Sequence, residues 1–80
     1  MSRSHIQEGL LRLAEERGTS KTFCPSEVAR SLAKNWRPLM DAVRSCAGEL
    51  VAQGRLVCTQ KGKPADPLTT RGAIRLALAH

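Results

Sequence analysis

Aromatic side chains are almost missing from this chain, which holds one Trp, one Phe and no Tyr. Binders of single-stranded nucleic acid stack bases on aromatic platforms, and Phe23 and Trp36 alone do not furnish one. Histidine is as scarce: His5 and His80 stand at opposite ends of the sequence and form no ligand pair. The three cysteines, Cys24, Cys46 and Cys58, are odd in number, far apart and without a CxxC. That argues against a disulfide framework and against a zinc knuckle or ribbon, leaving buried structural thiols as the default. There is no glycine-rich phosphate loop, no nucleophile elbow and no close carboxylate pair. The expectation is a non-enzymatic protein with no catalytic residue, metal or cofactor. No run approaches the ~18 apolar residues of a membrane span. The N-terminus, MSRSHIQEG, has no apolar stretch after its basic residue and does not read as a secretory signal. A cytoplasmic chain, whole from Met1 and without a membrane partner, is expected.

Acidic residues are the remaining shortage, seven against thirteen Lys and Arg, for a net charge of +6. The imbalance is uneven. Over residues 1–20 three arginines meet three glutamates and cancel; over 21–54 five cations meet three acids. Over 55–80 Arg55, Lys61, Lys63, Arg71 and Arg75 face Asp66 alone. A basic bias gathered in one part of a small domain is what a polyanion-binding surface requires, and solvated charge for solubility is the competing reading. Eighty residues make a single domain, 1–80, with a small core. A chain of this size buries little over ~60% of the surface its unfolded form exposes.

What is present is a change of hydrophobic period. Residues 4–17 read as an amphipathic helix, with Ser4 and Gln7 at capping-box spacing, Ile6, Leu10, Leu13 and Ala14 on one face, and Gly18 as the stop. Residues 21–23 supply a short strand with Phe23 pointing inward. Pro25 and Glu27 suit the first turn of a second helix, 25–33, buried through Val28, Ala29 and Leu32. After a tight break at Lys34, Asn35 serves as N-cap of a third helix, 36–53. That helix carries Pro38 in its first turn and an apolar stripe of Trp36, Met40, Val43, Ala47, Leu50 and Val51. Trp36 is expected in the core. Two helices across so short a turn are the helix-turn-helix layout. The period then becomes two: strand 55–60 with Leu56 and Cys58 inward, a flexible basic loop 61–70, and strand 71–78 with Ile74, Leu76 and Leu78 inward. The fold class is therefore α+β. Helix, strand, helix, helix, strand, wing, strand is the order of a winged helix, a three-helix core with a small antiparallel β-hairpin.

Several of these residues together resemble a family of small bacterial proteins catalogued as domain of unknown function 3253. They are Cys24-Pro25-Ser26-Glu27-Val28-Ala29-Arg30, Trp36-Arg37, Met40, Val43-Arg44, Leu50 and Gly54, followed by Gln60-Lys61-Gly62, Asp66-Pro67, Gly72 and Ile74-Arg75. The likeness runs from about residue 22 to 78; Ala73 stands where the family pattern tends to have proline. The resemblance implies a winged-helix-like fold and brings no activity, substrate or cofactor.

The residues themselves place duplex DNA first among partners. Arg37, Asp41, Arg44 and Gly48 share the face of the third helix opposite its apolar stripe, where Arg can grip guanine edges or phosphates. Ser45 and Gly48 would permit close approach. The alternative is an idle face carrying Arg37–Asp41 and Asp41–Arg44 ion pairs. Lys61, Lys63, Arg71 and Arg75 surround the loop and suit a phosphate backbone, or else guard an edge strand. Arg30 and Lys34 would touch flanking phosphates, unless Arg30 pairs with Glu27. A protein-interaction module, with an acidic partner or a homodimer, is the competing class. Cys24, at a helix N-terminus, is the one candidate for a reactive thiol, and a plain helix start is the other reading.

Overall fold

The computed structural model describes residues 2–79; Met1 and His80 lie outside them. The elements are α1 (Arg3–Arg17), α2 (Pro25–Leu32), a 3-10 turn (Arg37–Leu39), α3 (Met40–Ala52), β1 (Leu56–Gln60), β2 (Lys63–Pro64) and β3 (Arg75–Leu78). This is the α+β expectation in its coarse form: three helices and a three-stranded antiparallel sheet, ordered β2-β1-β3.

The helices pack because each has one apolar stripe with nowhere else to go. Ile6, Leu10 and Ala14 of α1 meet Val28 and Ala29 of α2, and Val43, Cys46, Ala47 and Leu50 of α3, in one buried cluster. Phe23, Leu56, Cys58, Ile74 and Leu76 close that cluster from the sheet side. Burying each large side chain fully contributes roughly 1.5–3 kcal/mol. No buried polar side-chain atom lacks a hydrogen-bond partner among the described residues. Among them, too, no helix is long and apolar enough to cross a membrane.

Several expected boundaries move, each for a local reason. Helix α1 starts one residue early, capped by Ser2, whose hydroxyl accepts from the His5 N–H at 3.2 Å. The Ser4–Gln7 capping box does not form, since the Gln7 amide donates instead to Glu49 of α3 at 3.0 Å. The expected strand 21–23 contracts to one bridge, Phe23 with Leu76, closed by two hydrogen bonds of 2.8 Å. Cys24 already caps α2, so the chain has no room to extend further. Helix α2 stops at Leu32, with Ala33 extended. Asn35 caps nothing: Trp36 occupies the cap position of the 3-10 turn, in helical backbone geometry. With Pro38 lacking an N–H, that turn closes through the Leu39 N–H to the Trp36 carbonyl at 2.9 Å, and α3 proper begins at Met40.

The largest departure is in the wing. A hairpin with a ten-residue flexible tip was the expectation. Instead β1 reverses at once through Lys61 and Gly62, with φ values of 53° and 81°, and pairs with β2. Positive φ at both central residues is what a type I′ hairpin turn demands, and glycine takes it without a Cβ penalty. β3 begins only at Arg75 and pairs with the other edge of β1. Pro64, which has no ladder donor, sits in the short outer strand.

Candidate nucleic-acid interface

Residues 65–73, of which 65–70 fall in the expected flexible loop and 71–73 in the expected last strand, are tied down from three directions. Asp66 organises the loop internally: its Oδ1 accepts from the Leu68 N–H (2.8 Å), and its own N–H donates to Thr70 Oγ1 (3.1 Å). Its carbonyl accepts from the Thr70 N–H at 3.0 Å. Gln60 of β1 donates its amide to the carbonyls of Arg71 (2.7 Å) and Ala73 (3.2 Å). Arg44 of α3 spreads its guanidinium over the carbonyls of Pro67 (3.3 Å), Thr70 (2.8 Å) and Gly72 (2.6 Å). Pro67 is thereby buried.

This arrangement changes the face on which groove contact was expected. Arg44 is half-buried and committed to the loop rather than free. Gly48 does allow a close approach, but to this chain: a Cβ there would stand 3.3 Å from Leu68 Cδ1. Ser45 faces α1, where its hydroxyl accepts from both terminal nitrogens of Arg3 at 3.3 Å. Arg3 also pairs with Glu49, which accepts from Gln7 as well. The Arg37–Asp41 and Asp41–Arg44 ion pairs of the idle-face alternative do not form among the described residues, whose only ion pairs are Arg3–Glu49 and Arg17–Glu27.

Arg75, counted with the wing, reaches back to Thr22 instead. Its Nε donates to Thr22 Oγ1 at 3.0 Å and one Nη to the Thr22 carbonyl at 3.1 Å. It thus braces the Phe23 bridge from outside. The other selected cations, Arg30, Lys34, Arg37, Lys61, Lys63 and Arg71, are all exposed. Arg30 does not take Glu27, whose carboxylate goes to Arg17 at 2.7 Å.

Trp36 is the residue that sequence reasoning misplaced. It packs against the rim of the core, only half-buried, and two guanidiniums lie over its ring. The Arg30 and Arg37 Cζ atoms are 4.7 and 4.8 Å from the ring centroid. Each such contact contributes roughly 0.5–1 kcal/mol at an exposed site and holds a flexible cation in place. The legible signal was composition: in RSLAKNWR the indole is flanked by two cations within six residues on one side and one on the other. The apolar-stripe argument outweighed it because Trp36 also falls at helical spacing from Met40.

Contacts through Arg44 and Gln60 link these two groups of cations. Arg37 and Arg44 are two helical turns apart, about 10 Å along the axis. The Arg44 head bonds the carbonyls on either side of Arg71, and Gln60, which bonds the Arg71 carbonyl, immediately precedes Lys61. A line thus runs from the Trp36 cluster past the clamped loop to the β1–β2 turn.

Cys24 stands where it was expected, half-buried at the cap of α2. Its N–H donates to the Glu27 carboxylate at 2.8 Å, and the Ser26 hydroxyl donates to its Sγ at 3.1 Å. That serine is the only side chain bonded to the thiol among the described residues. The Cys24 N–H, and next the Arg17 guanidinium, hold the Glu27 carboxyl below the usual carboxylate range. Cys46 and Cys58 are buried, and desolvation pushes both thiols up.

Comparison with curated proteins gives no match. Residues 3–79 match one described family over nearly the full length of the chain. This chain belongs to the family described as protein of unknown function (DUF3253).

Proposed function

We propose that this chain is a winged-helix module that binds duplex DNA, with the Trp36 cluster and the β1–β2 turn as its contacts to the phosphate backbone. The observation that carries the reading is a set of cations left over by the fold. Arg30, Lys34, Arg37, Lys61, Lys63 and Arg71 are exposed and, among the described residues, none of them is in an ion pair. Glu27 and Glu49 are meanwhile taken by Arg17 and Arg3, which removes acids from the balance without removing these cations. The winged-helix assignment is supported by the bridge of Phe23 to β3 and by the antiparallel pairing of β3 with β1 after three helices.

The energetic logic is counterion release. Each phosphate neutralised lowers the log–log salt slope by about 0.9, so four to six contacts give roughly −4 to −5. A titration of the chain with duplex DNA at two or more salt concentrations reads that slope directly. Trp36, the sole Trp, reports the same event. Phosphates that draw Arg30 and Arg37 off the indole change its emission. No binding at low salt up to ~100 μM, where non-specific binders are already retained, overturns the reading.

A protein-interaction role has one observation in its favour. Val57 and Leu68 are large apolar side chains 43% and 61% exposed. Sedimentation at rising concentration separates the two readings. A stable dimer indifferent to DNA supports association, and a monomer that shifts only with DNA supports the first.

A further inference from the structure

The duplex-binding reading leaves open whether the chain selects a base sequence. We infer that it does not: its recognition of duplex DNA is of the backbone-reading, sequence-independent kind, because the side chains of α3 that would reach base edges are already used inside the fold. This rests on the reading proposed above and narrows it.

Base readout needs side chains with free donors or acceptors projecting from the first turns of the helix that enters the major groove. On the face in question the residues are Arg37, Asp41, Arg44 and Gly48. Arg44, the one with bidentate capacity at mid-helix, has both terminal nitrogens on loop carbonyls. Gly48 lies beneath Leu68, so the C-terminal half of the face is covered by residues 66–72. Ser45, the next polar side chain, is held by Arg3. Asp41 is exposed and free of ion pairs among the described residues, but it is an anion in a groove flanked by phosphates. Arg37 is stacked on Trp36 at the outer end. What remains free on this side of the molecule are guanidiniums and ammoniums at its margin, which are phosphate groups' partners and carry no sequence information by themselves.

The covering loop is not a loose flap that a duplex would simply brush aside. It is stitched by the Asp66 bonds, by Gln60 and by Arg44. Uncovering the face would break the Arg44 fork and leave Pro67 without its cover. A site-specific protein of this kind would have to lose those contacts before gaining any with bases.

The test is equilibrium binding to a panel of 20-base-pair duplexes, AT-rich, GC-rich and mixed, together with selection from a randomised duplex pool. Affinities within about threefold across the panel, and no consensus after selection, are the expected result, since specific recognition is worth 10³-fold or more. The Arg30→Gln/Arg37→Gln double variant should weaken every duplex alike and make the salt slope shallower by about 2. A single sequence preferred by more than ~100-fold, or a double variant that loses affinity for one sequence only, overturns the inference while leaving duplex binding intact. Absence of binding to every duplex at low salt overturns both.

Discussion

Replacing Arg44 with methionine is the most informative single perturbation of this fold. Methionine keeps much of the apolar stem and removes the fork that holds Pro67, Thr70 and Gly72. Hydrogen bonds from a charged donor are worth about 1.5–3 kcal/mol each when well buried. Arg44 is half-exposed, one of its three bonds is long at 3.3 Å, and the released carbonyls can turn to water. The worked expectation is therefore nearer ~1 kcal/mol for each of the two short bonds and less for the third, a loss of about 2–3 kcal/mol. An 80-residue domain has only about 4–12 kcal/mol in total, so Tm should fall by roughly 10–20 °C. Hydrogen exchange should show where the loss begins, with the Leu68 and Thr70 amides losing protection before those of the helices. Arg44→Lys discriminates fork geometry from charge, because a single ammonium cannot span three carbonyls. It should recover less than half the loss. An Arg44→Met variant within ~0.5 kcal/mol of the parent in urea unfolding, or an Arg44→Lys variant equal to it, would refute the idea that this side chain clamps the wing.

Three further outcomes follow from the same geometry. Glu27 has a folded pKa below its ordinary value, so its contribution is present above about pH 4.5 and is lost as pH falls through the folded value. Glu27→Gln should flatten that acid limb and cost about 1 kcal/mol at neutral pH, read by denaturant unfolding across pH. For the thiols the sign is reversed. Cys46 and Cys58 are raised above 9.0 in the fold, so stability is full below that pH and declines as the unfolded chain ionises above it. A disulfide reagent on the native protein should accordingly modify the half-buried Cys24 first. Cys46 and Cys58, 0% and 4% exposed, should follow only on unfolding, and equal rates for all three would contradict the packing described. At the β1–β2 turn, Gly62→Ala forces a Cβ into φ of 81°. The expected cost is ~1–2 kcal/mol, without change at α1 or α2 in exchange protection.

Much of this molecule follows from local rules acting on neighbouring residues. The three helices are legible because Ile6-Leu10-Ala14, Val28-Ala29 and Val43-Ala47-Leu50 repeat at helical spacing, and all of these are buried. Phe23 points inward as its β-branched setting implied, and Leu56 and Cys58 face the core across exposed Val57. The start of α2 is written out in Cys24-Pro25-Ser26-Glu27, because a cap, a first-turn proline and a reciprocal carboxylate act within four residues of one another. Glu27 was read as a helix-dipole residue with Arg30 as an alternative partner, whereas its actual guanidinium partner, Arg17, is ten positions away.

The free surface was decided by contacts between residues far apart in sequence. Whether Arg44 is a base reader or a clamp depends on carbonyls 23 to 28 residues downstream. Backbone acceptors leave no trace in side-chain identity, so no pattern announces them. Ser45 looked free until Arg3 reached it across 42 positions, and Arg75 looked like wing charge until it met Thr22 across 53. Periodicity places a side chain on a face. Only the packed chain decides what already occupies that face, because occupancy is set by which distant donors and acceptors the tertiary fold brings within about 3 Å. Three helices, a small sheet and an excess of positive charge follow from local pattern, whereas which of those charges remain unspent follows from long-range contacts.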